Sequence, residues 1–219
     1  MTNSRRPLHV RWLGRVAYRE ALALQEGLFA HGVDQHLLLC EHPHVFTHGA
    51  GADLESNLRC DPLSVGAELV EVQRGGDITY HGPGQLVGYP ILSLEPKHGD
   101  SGPADTRAYI SALEQSLIDA LVELGLAHVG RMGEFPGVWV EPAGPRPRKI
   151  AAIGVRVGNG STQRRTMHGF ALNVSTDLTY MREHIVPCGI SEYAVTSLRE
   201  EGIEASMREV ADEIGRAHV

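Results

Sequence analysis

Three apolar runs follow one another closely in the second half of the chain: "GVWVE" (137–141), "KIAAIGVRVG" (149–158) and "MHGFALNVS" (167–175). Each is short, and the segments between them, "PAGPRPR" (142–148) and "NGSTQRR" (159–165), are built from turn-forming residues. A doubly wound parallel sheet needs a crossover, usually a helix, between paired strands. Successive strands joined by turns predict antiparallel pairing instead, and Asn159-Gly160 between two apolar runs is a hairpin signal. The fold class expected is α/β in content and α+β in arrangement: a mixed, largely antiparallel sheet with flanking helices.

Outward from this run, "HVRWLG" (9–14), "QHLLLCEH" (35–42), "ELVEVQR" (68–74) and "LVGYPILSL" (86–94) read as strands, and "GGDITYHGPGQ" (75–85) as a loop. "VAYREALALQEGLFAHG" (16–32) places Ala17, Ala21, Leu24 and Leu28 at helical spacing and stops at Gly32. "DTRAYISALEQSLIDALVELG" (105–125) is the clearest helix, with Tyr109, Leu113, Ser116, Leu117, Ala120, Leu121 and Leu124 on one face and Gly125 as its stop. Short helices are expected around "YMREHI" (180–185), after Ser191, and over "SMREVADEIGRAHV" (206–219). No repeat or low-complexity linker divides residues 1–219, which are read as one domain.

The chain has 219 residues, 42% of them hydrophobic and 21% charged, enough to bury a substantial core. No apolar stretch approaches a membrane span, and the twin arginine near the N-terminus has no apolar run behind it. Three cysteines without a CxxC pair suggest reduced thiols and a cytoplasmic protein. A net charge of −7 argues against general nucleic-acid binding. Yet residues 131–169 hold seven of the 20 Lys/Arg and only two of the 27 Asp/Glu. That segment is either a docking patch for an acidic partner or a set of solvated loops.

Three stretches could carry chemistry. Arg74 to Gln85 holds four glycines and a proline around Arg74, Asp77, Tyr80 and His81. Such glycines let backbone approach a ligand, and the stretch is otherwise a long turn. It is not a GxxxxGK[ST] phosphate loop, which the chain lacks. "EHPHVFTHG" (41–49) offers His42, His44 and His48, but at no established metal-ligand spacing; these read as surface or loop histidines, and no metal is expected. The third candidate is Cys188, set between Pro187 and Gly189, with Lys149 at the head of an apolar strand. A thiolate is a nucleophile, and a nearby lysine can stabilise or deprotonate it, but nothing in the spacing brings the two together. Cys40 in "LLLCE" reads as core and Cys60 as a loop residue.

Taken together, "RGGDITYHGPGQLVGYPIL" (74–92), "KIAAIGVRV", "HGFALNV" and "IVPCGISEYAVTSL" (185–198) resemble the lipoyl(octanoyl) transferase family, in the family's order and over roughly residues 42–198. The resemblance implies a fold like that of biotin and lipoate protein ligases. It also implies octanoyl transfer from acyl carrier protein to a lysine of lipoyl domains, those of 2-oxoacid dehydrogenases and of the glycine-cleavage carrier protein. Cys188 would be the acyl-thioester nucleophile, and Lys149 the residue that lowers its pKa and moves protons. Substrate-binding positions carry over to Arg74, Gly75, Gly76, Asp77, Ile78, Thr79, Tyr80 and His81, to Ala152, Ile153 and Gly154, and to Gly169, Phe170 and Ala171. Asp77 stands where many members have Gln or Lys. A thioester donor is already activated, so no cofactor and no ATP are expected, and neither membrane nor nucleic acid is an expected partner. The acidic carrier protein would dock on Arg146, Arg148, Arg164 and Arg165. Backbone N–H groups near Gly189 or in the glycine loop would hold the oxyanion. The rival readings are an ATP-dependent ligase, a thioester hydrolase and a non-catalytic binder of carrier or lipoyl domains.

Overall fold

A computed structural model describes residues 7–94, 104–160, 164–189 and 192–216, and of Cys188 the backbone. The strands are β1 (Leu8–Arg15), β2 (Gln35–Glu41), β3 (Val45–Gly49), β4 (Glu68–Val72), β5 (Thr79–His81), β6 (Gln85–Ile91), β7 (Ser93–Leu94), β8 (Val129–Met132), β9 (Phe135–Val140), β10 (Arg148–Asn159), β11 (Arg164–Asn173) and β12 (Ala194–Val195). The helices are α1 (Tyr18–His31), α2 (Leu54–Asn57), α3 (Thr106–Glu123), α4 (Thr179–Arg182) and α5 (Met207–Arg216). The large sheet runs β1-β2-β6-β11-β10-β9-β8, with β7 added to β11 and β12 to β10; a smaller sheet runs β4-β3-β5. From β2 to β8 every neighbouring pair is antiparallel, as the turn-linked runs predicted, while β1–β2, β10–β12 and β3–β4 are parallel. The β10–β11 hairpin pairs Asn159 with Arg164, and the expected turn at Asn159-Gly160 falls partly outside the described residues.

The two faces of the large sheet bury different things. Leu113, Leu117 and Leu121 of α3, with Val210 and Ile214 of α5, pack on Leu37, Leu39, Val138, Val140, Ile150, Phe170 and Leu172. The opposite face presents Leu38, Cys40, Val87, Tyr89 and Ala171 to Ala21 of α1. Tyr18 of that helix also packs with Val45, Val70 and Val72 of the small sheet, so α1 is wedged between the two sheets.

Several expectations shift. The buried stripe of α1 is Tyr18, Ala21, Gln25 and Phe29, whereas Ala17 and Leu24 are exposed. A helix with few large apolar residues gives a weak periodicity, and here the small sheet selects Tyr18. In α3 the buried face includes Glu114, and Ser116 is only half-buried. Thr79–His81, read as loop, is a fully buried strand, because Phe46 and Thr47 of β3 pair with it. "VFTHG" is likewise a strand, and His42 just before it is fully buried rather than at the surface. The segment 192–206 forms β12 and turns with no helix, and Ser191 itself lies outside the described residues. β8 was missed, because its single Val and Met make no pattern.

Glu114 shows why a carboxylate can sit in the α3 core. It accepts from the Gly137 backbone N–H at 3.0 Å and from Arg131 Nε at 3.1 Å. Replacing Glu114 with Ala leaves the buried Gly137 N–H unpaired and takes one of its partners from Arg131, and should destabilise the fold by about 1–3 kcal/mol. Urea denaturation would show this as a lower midpoint with unchanged slope; an unchanged midpoint would contradict the role.

Candidate active site

Lys149 and Ala152 are three residues apart, so a regular strand would point them to opposite faces. β10 is not regular there. Lys149 pairs with Trp139 and Ala151 with Val138, which leaves Ile150 as an extra residue. Ile150 and Ala151 both face the α3 core. The bulge therefore restores Lys149 to the face of Ala152 and Gly154. Lys149 is 8% exposed, its Nζ lies 4.8 Å from the Trp139 ring centroid, and it donates to the Pro136 carbonyl at 3.3 Å.

Between the two sheets lies a cavity of about 50 Å³. Its floor comes from the β10–β11 register, where Ala152 pairs with Ala171 and Gly154 with Gly169, so four small residues make a smooth strip. Over this strip lies Arg74. Its Cδ is 3.3 Å from where a Gly154 Cβ would stand, and its Nη2 donates to the Thr47 carbonyl at 2.7 Å. Gly75 crosses beside it, with its N–H on the Val155 carbonyl. The three substrate-binding stretches that the resemblance carried over thus converge on one space. Within them, Arg74, Gly75, Gly76, Thr79, His81, Ala152, Ile153, Gly154, Gly169, Phe170 and Ala171 line it.

Asp77, Ile78 and Tyr80 do not. Alternation along β5 and the residue before it sends Ile78 and Tyr80 into the core of the small sheet, where the Tyr80 ring stacks on Tyr180 at 4.7 Å and its hydroxyl meets His44 Nδ1 at 2.7 Å. Asp77 accepts from Asn57 Nδ2 at 2.8 Å and from the Ile78 N–H. Tyr18, Val87, Tyr89 and His168 line the cavity and were missed. His168 had a signal in its place next to Gly169-Phe170-Ala171, and Val87 and Tyr89 in theirs within residues 74–92.

The inner wall is a hydrogen-bonded set of neutral groups. His81 Nδ1 donates to Gln85 Oε1 at 2.8 Å, because the Gln85 amide nitrogen already donates to Tyr80 O and Asn173 Oδ1. Its bare Nε2 then faces Thr47 Oγ1 at 3.5 Å, and its ring stacks on Tyr18. Burial, with His42 and Arg74 as further causes, holds the His81 pKa down at about 3. His42 donates from Nδ1 to the Val16 carbonyl and accepts from the Tyr89 hydroxyl, both at 2.7 Å. Burial lowers His42 as well and pushes the Tyr18 phenol up to about 12. His42, His44 and His48 turn to separate partners, and among the described residues no three His, Cys, Asp or Glu side chains gather as a metal-binding group.

Cys188 sits in a 3₁₀ turn, Pro187–Gly189. Before the turn, the Val186 N–H bonds to the Asn57 carbonyl at 2.8 Å. At its end Gly189 has φ +67°, and a Cβ there would stand 3.4 Å from the Asp77 carboxylate. After it, β12 runs parallel to Arg148–Lys149. The turn is thus tied to the foot of the glycine loop on one side, and the strand that follows it lies beside Lys149. The expected meeting of the Cys188 thiol with Lys149 lies outside the described residues. Gly189 N–H, an expected oxyanion donor, is taken by the Val186 carbonyl at 3.1 Å. Cys40 is buried, its thiol pKa raised by burial, and Cys60 is half-buried in a loop.

The basic segment is less basic at its surface than in its sequence. Arg148 is paired with Glu141 and Glu201, each at 2.8 Å, and Arg165 is 2% exposed with Nη2 on the Asp34 carbonyl. Arg146 and Arg164 remain exposed. A docking patch made of all four arginines is therefore ruled out.

The profile of the "Lipoyl protein ligase A/B catalytic domain" matches residues 17–218, and the chain belongs to that family. Its curated relatives include an octanoyltransferase from Solibacter usitatus, 46% identical over 94% of this chain and 89% of its own length. Another, from Mycobacterium tuberculosis, is 48% identical over 89% and 77% respectively. This kinship makes the chain an acyltransferase of the octanoyltransferase type. Among solved structures, that of a bi-partite lipoate protein ligase from Thermoplasma acidophilum superposes with a TM-score of 0.75 at 19% identity, covering 97% of this chain and 82% of that one. A lipoate-protein ligase A bound with ATP gives 0.71 at 19%, covering 95% and 83%. Among the described residues no helix is long and apolar enough to cross a membrane.

His81 and His168, held at about 3 and about 4 by burial, give a pH signature. Below an unfolded pKa of about 6.5 the unfolded chain binds protons that the folded chain refuses, so stability falls as pH falls from that value. Between pH 7 and pH 5 the loss should be on the order of a few kcal/mol. Urea midpoints at pH 7, 6 and 5 measure it, and His81→Asn should flatten the slope; a slope unchanged by that variant would refute the assignment.

Proposed function

We propose that this chain is a cytoplasmic, single-domain enzyme that moves an octanoyl group from acyl carrier protein, through a thioester on Cys188, to the target lysine of lipoyl domains. The observation that carries the reading is the bulge at Ile150, which puts Lys149 at the end of a small-residue strip leading into the cavity. The Cys188 thiolate attacks the octanoyl thioester carbonyl, and the carrier thiol leaves with a proton from Lys149. The acceptor lysine then attacks octanoyl-Cys188, gives its proton to Lys149, and expels the thiolate as the amide forms. Because a thioester is an activated acyl donor, the scheme needs no ATP or other cofactor.

The cavity holds about 50 Å³, well below the ~150 Å³ of an apolar cavity that admits benzene. Loading an eight-carbon chain therefore requires Arg74 and the exposed Gly75-Gly76 to swing outward. Loop glycines make that movement cheap.

Mass spectrometry after incubation with octanoyl-carrier protein should find an octanoyl adduct on Cys188 that Lys149→Ala abolishes. An adduct on Cys40 or Cys60 instead would overturn the site. One second reading has support: the structural likeness to an ATP-bound lipoate-protein ligase A suggests adenylation chemistry. ATP-dependent transfer from free octanoate, with none from the carrier thioester, would favour it.

The carrier protein is acidic, so Arg146 and Arg164 are its proposed contacts. Reversing both charges should raise the carrier-protein KM severalfold and weaken its salt dependence. Equal KM values in the variant and the parent would dismiss the patch.

A further inference from the structure

His168 stands in the middle of β11 with φ +60°, a left-handed conformation that strains a residue bearing a Cβ. Phe170, two residues on, packs in the α3 core, so regular alternation would send His168 to that side as well. The positive φ breaks the alternation, and His168 lines the cavity instead. This backbone is held from outside, because the fully buried Gln25 of α1 accepts the His168 N–H at 3.0 Å. The side chain is 3% exposed, and among the described residues neither ring nitrogen has a hydrogen-bond partner. The Gln73 backbone lies near enough to favour ring protonation, and burial and Arg74 outweigh it. A buried imidazole left unpaired is costly, and a strained one is retained where a ligand or a water completes it.

Its position says which part of a ligand that is. His168 pairs with Val155, six residues beyond Lys149 with one of them taken up by the bulge. At about 3.3 Å per residue the two ends of the strip are roughly 16 Å apart. Between them the strand pair offers the small residues Ala152, Gly154, Gly169 and Ala171, with the Arg74 stem and the Gly75 carbonyl over Gly154. An acyl chain joined near Lys149 and laid along this strip points its far end at His168. Burial and Arg74 keep the ring neutral. A neutral imidazole offers one N–H and one bare nitrogen, which suits a hydroxyl as donor or acceptor.

We propose that His168 is a specificity-determining residue that hydrogen-bonds the far end of the acyl chain, so that the cavity accepts medium-chain acyl groups bearing a terminal hydroxyl alongside plain octanoyl. The proposal rests on the reading of the cavity as the acyl site. With octanoyl itself, a water completes the ring.

The test compares kcat/KM for octanoyl- and ω-hydroxyoctanoyl-carrier protein in the parent enzyme, His168→Asn and His168→Gly. Both replacements tolerate a positive φ, so both should fold, and thermal melting checks that they do. An apolar pocket end rejects an added hydroxyl by about 100-fold, and the parent should reject it by less than about tenfold. His168→Asn should keep the parent ratio, and His168→Gly should worsen it at least about tenfold. A parent ratio near the apolar value, or equal ratios in parent and His168→Gly, would overturn the role. Ala152→Phe, which fills the strip, separates the two claims. If it spares transfer of both chains, the acyl-site reading fails. If it blocks both while the His168 ratios stay level, only the role of His168 falls.

Discussion

One extra residue in β10 decides which face of the large sheet Lys149 occupies, and most of the site depends on it. With Ile150 inserted, Ile150 and Ala151 both fill the core under α3, and Lys149 shares the other face with Ala152 and Gly154. In a regular strand, either Lys149 would be buried among leucines or the strip would face the wrong way. A bulge costs ladder hydrogen bonds, and here its neighbours hold it in place. Glu114 accepts the N–H of Gly137, which pairs with Ala152, and β12 supports Lys149 from the other edge. A buried carboxylate on α3 and a two-residue strand after the Cys188 turn thus serve the same local geometry.

The space above the strip exists because two sheets meet over residues too small to fill it. Helix α1 and β5 close one side, where His81 is paired with Gln85 and is backed by His42, itself held between Val16 and Tyr89. Each bond fixes a tautomer, and burial keeps the rings neutral. The inner wall can therefore face an apolar chain without presenting a charge. Arg74 is the exception, and its head is drawn off to Thr47 while its stem lies over Gly154. The family's octanoyl chemistry and this lining agree in kind, since an acyl chain asks for small residues, apolar stem and no fixed charge.

Charge along the sequence proved a poor guide to charge on the surface. Four arginines between 146 and 165 read as one patch, but Arg148 closes a pair of ion pairs and Arg165 ties β11 to the end of β2 and β6. A guanidinium has five donors, so it serves as readily to satisfy buried carbonyls as to meet a partner. The histidines misled in the opposite direction. "EHPHVFTHG" reads as a loop, but its second half, Val45–Gly49, is a mostly buried strand because β4 and β5 both pair with it from other parts of the chain, and His42 ahead of it is fully buried.

The sequence by itself determined what depends on near neighbours. The antiparallel core followed from strands joined by turns, α3 from its apolar period and its Gly125 stop, and the burial of Cys40 from its apolar run. The motifs were also enough to name the family and to single out the three stretches that meet at the cavity. The tertiary structure decided what depends on partners far along the chain. Which face Lys149 takes required the extra residue at Ile150, which no period reveals. That only Thr79 and His81 of their strand reach the cavity required the pairing of β5 with β3. That His168 turns inward required Gln25, 143 residues away, to hold its N–H. Local sequence sets backbone preference and turn chemistry, whereas facing, register and the pairing of buried polar atoms are set by whichever segment arrives on the other side.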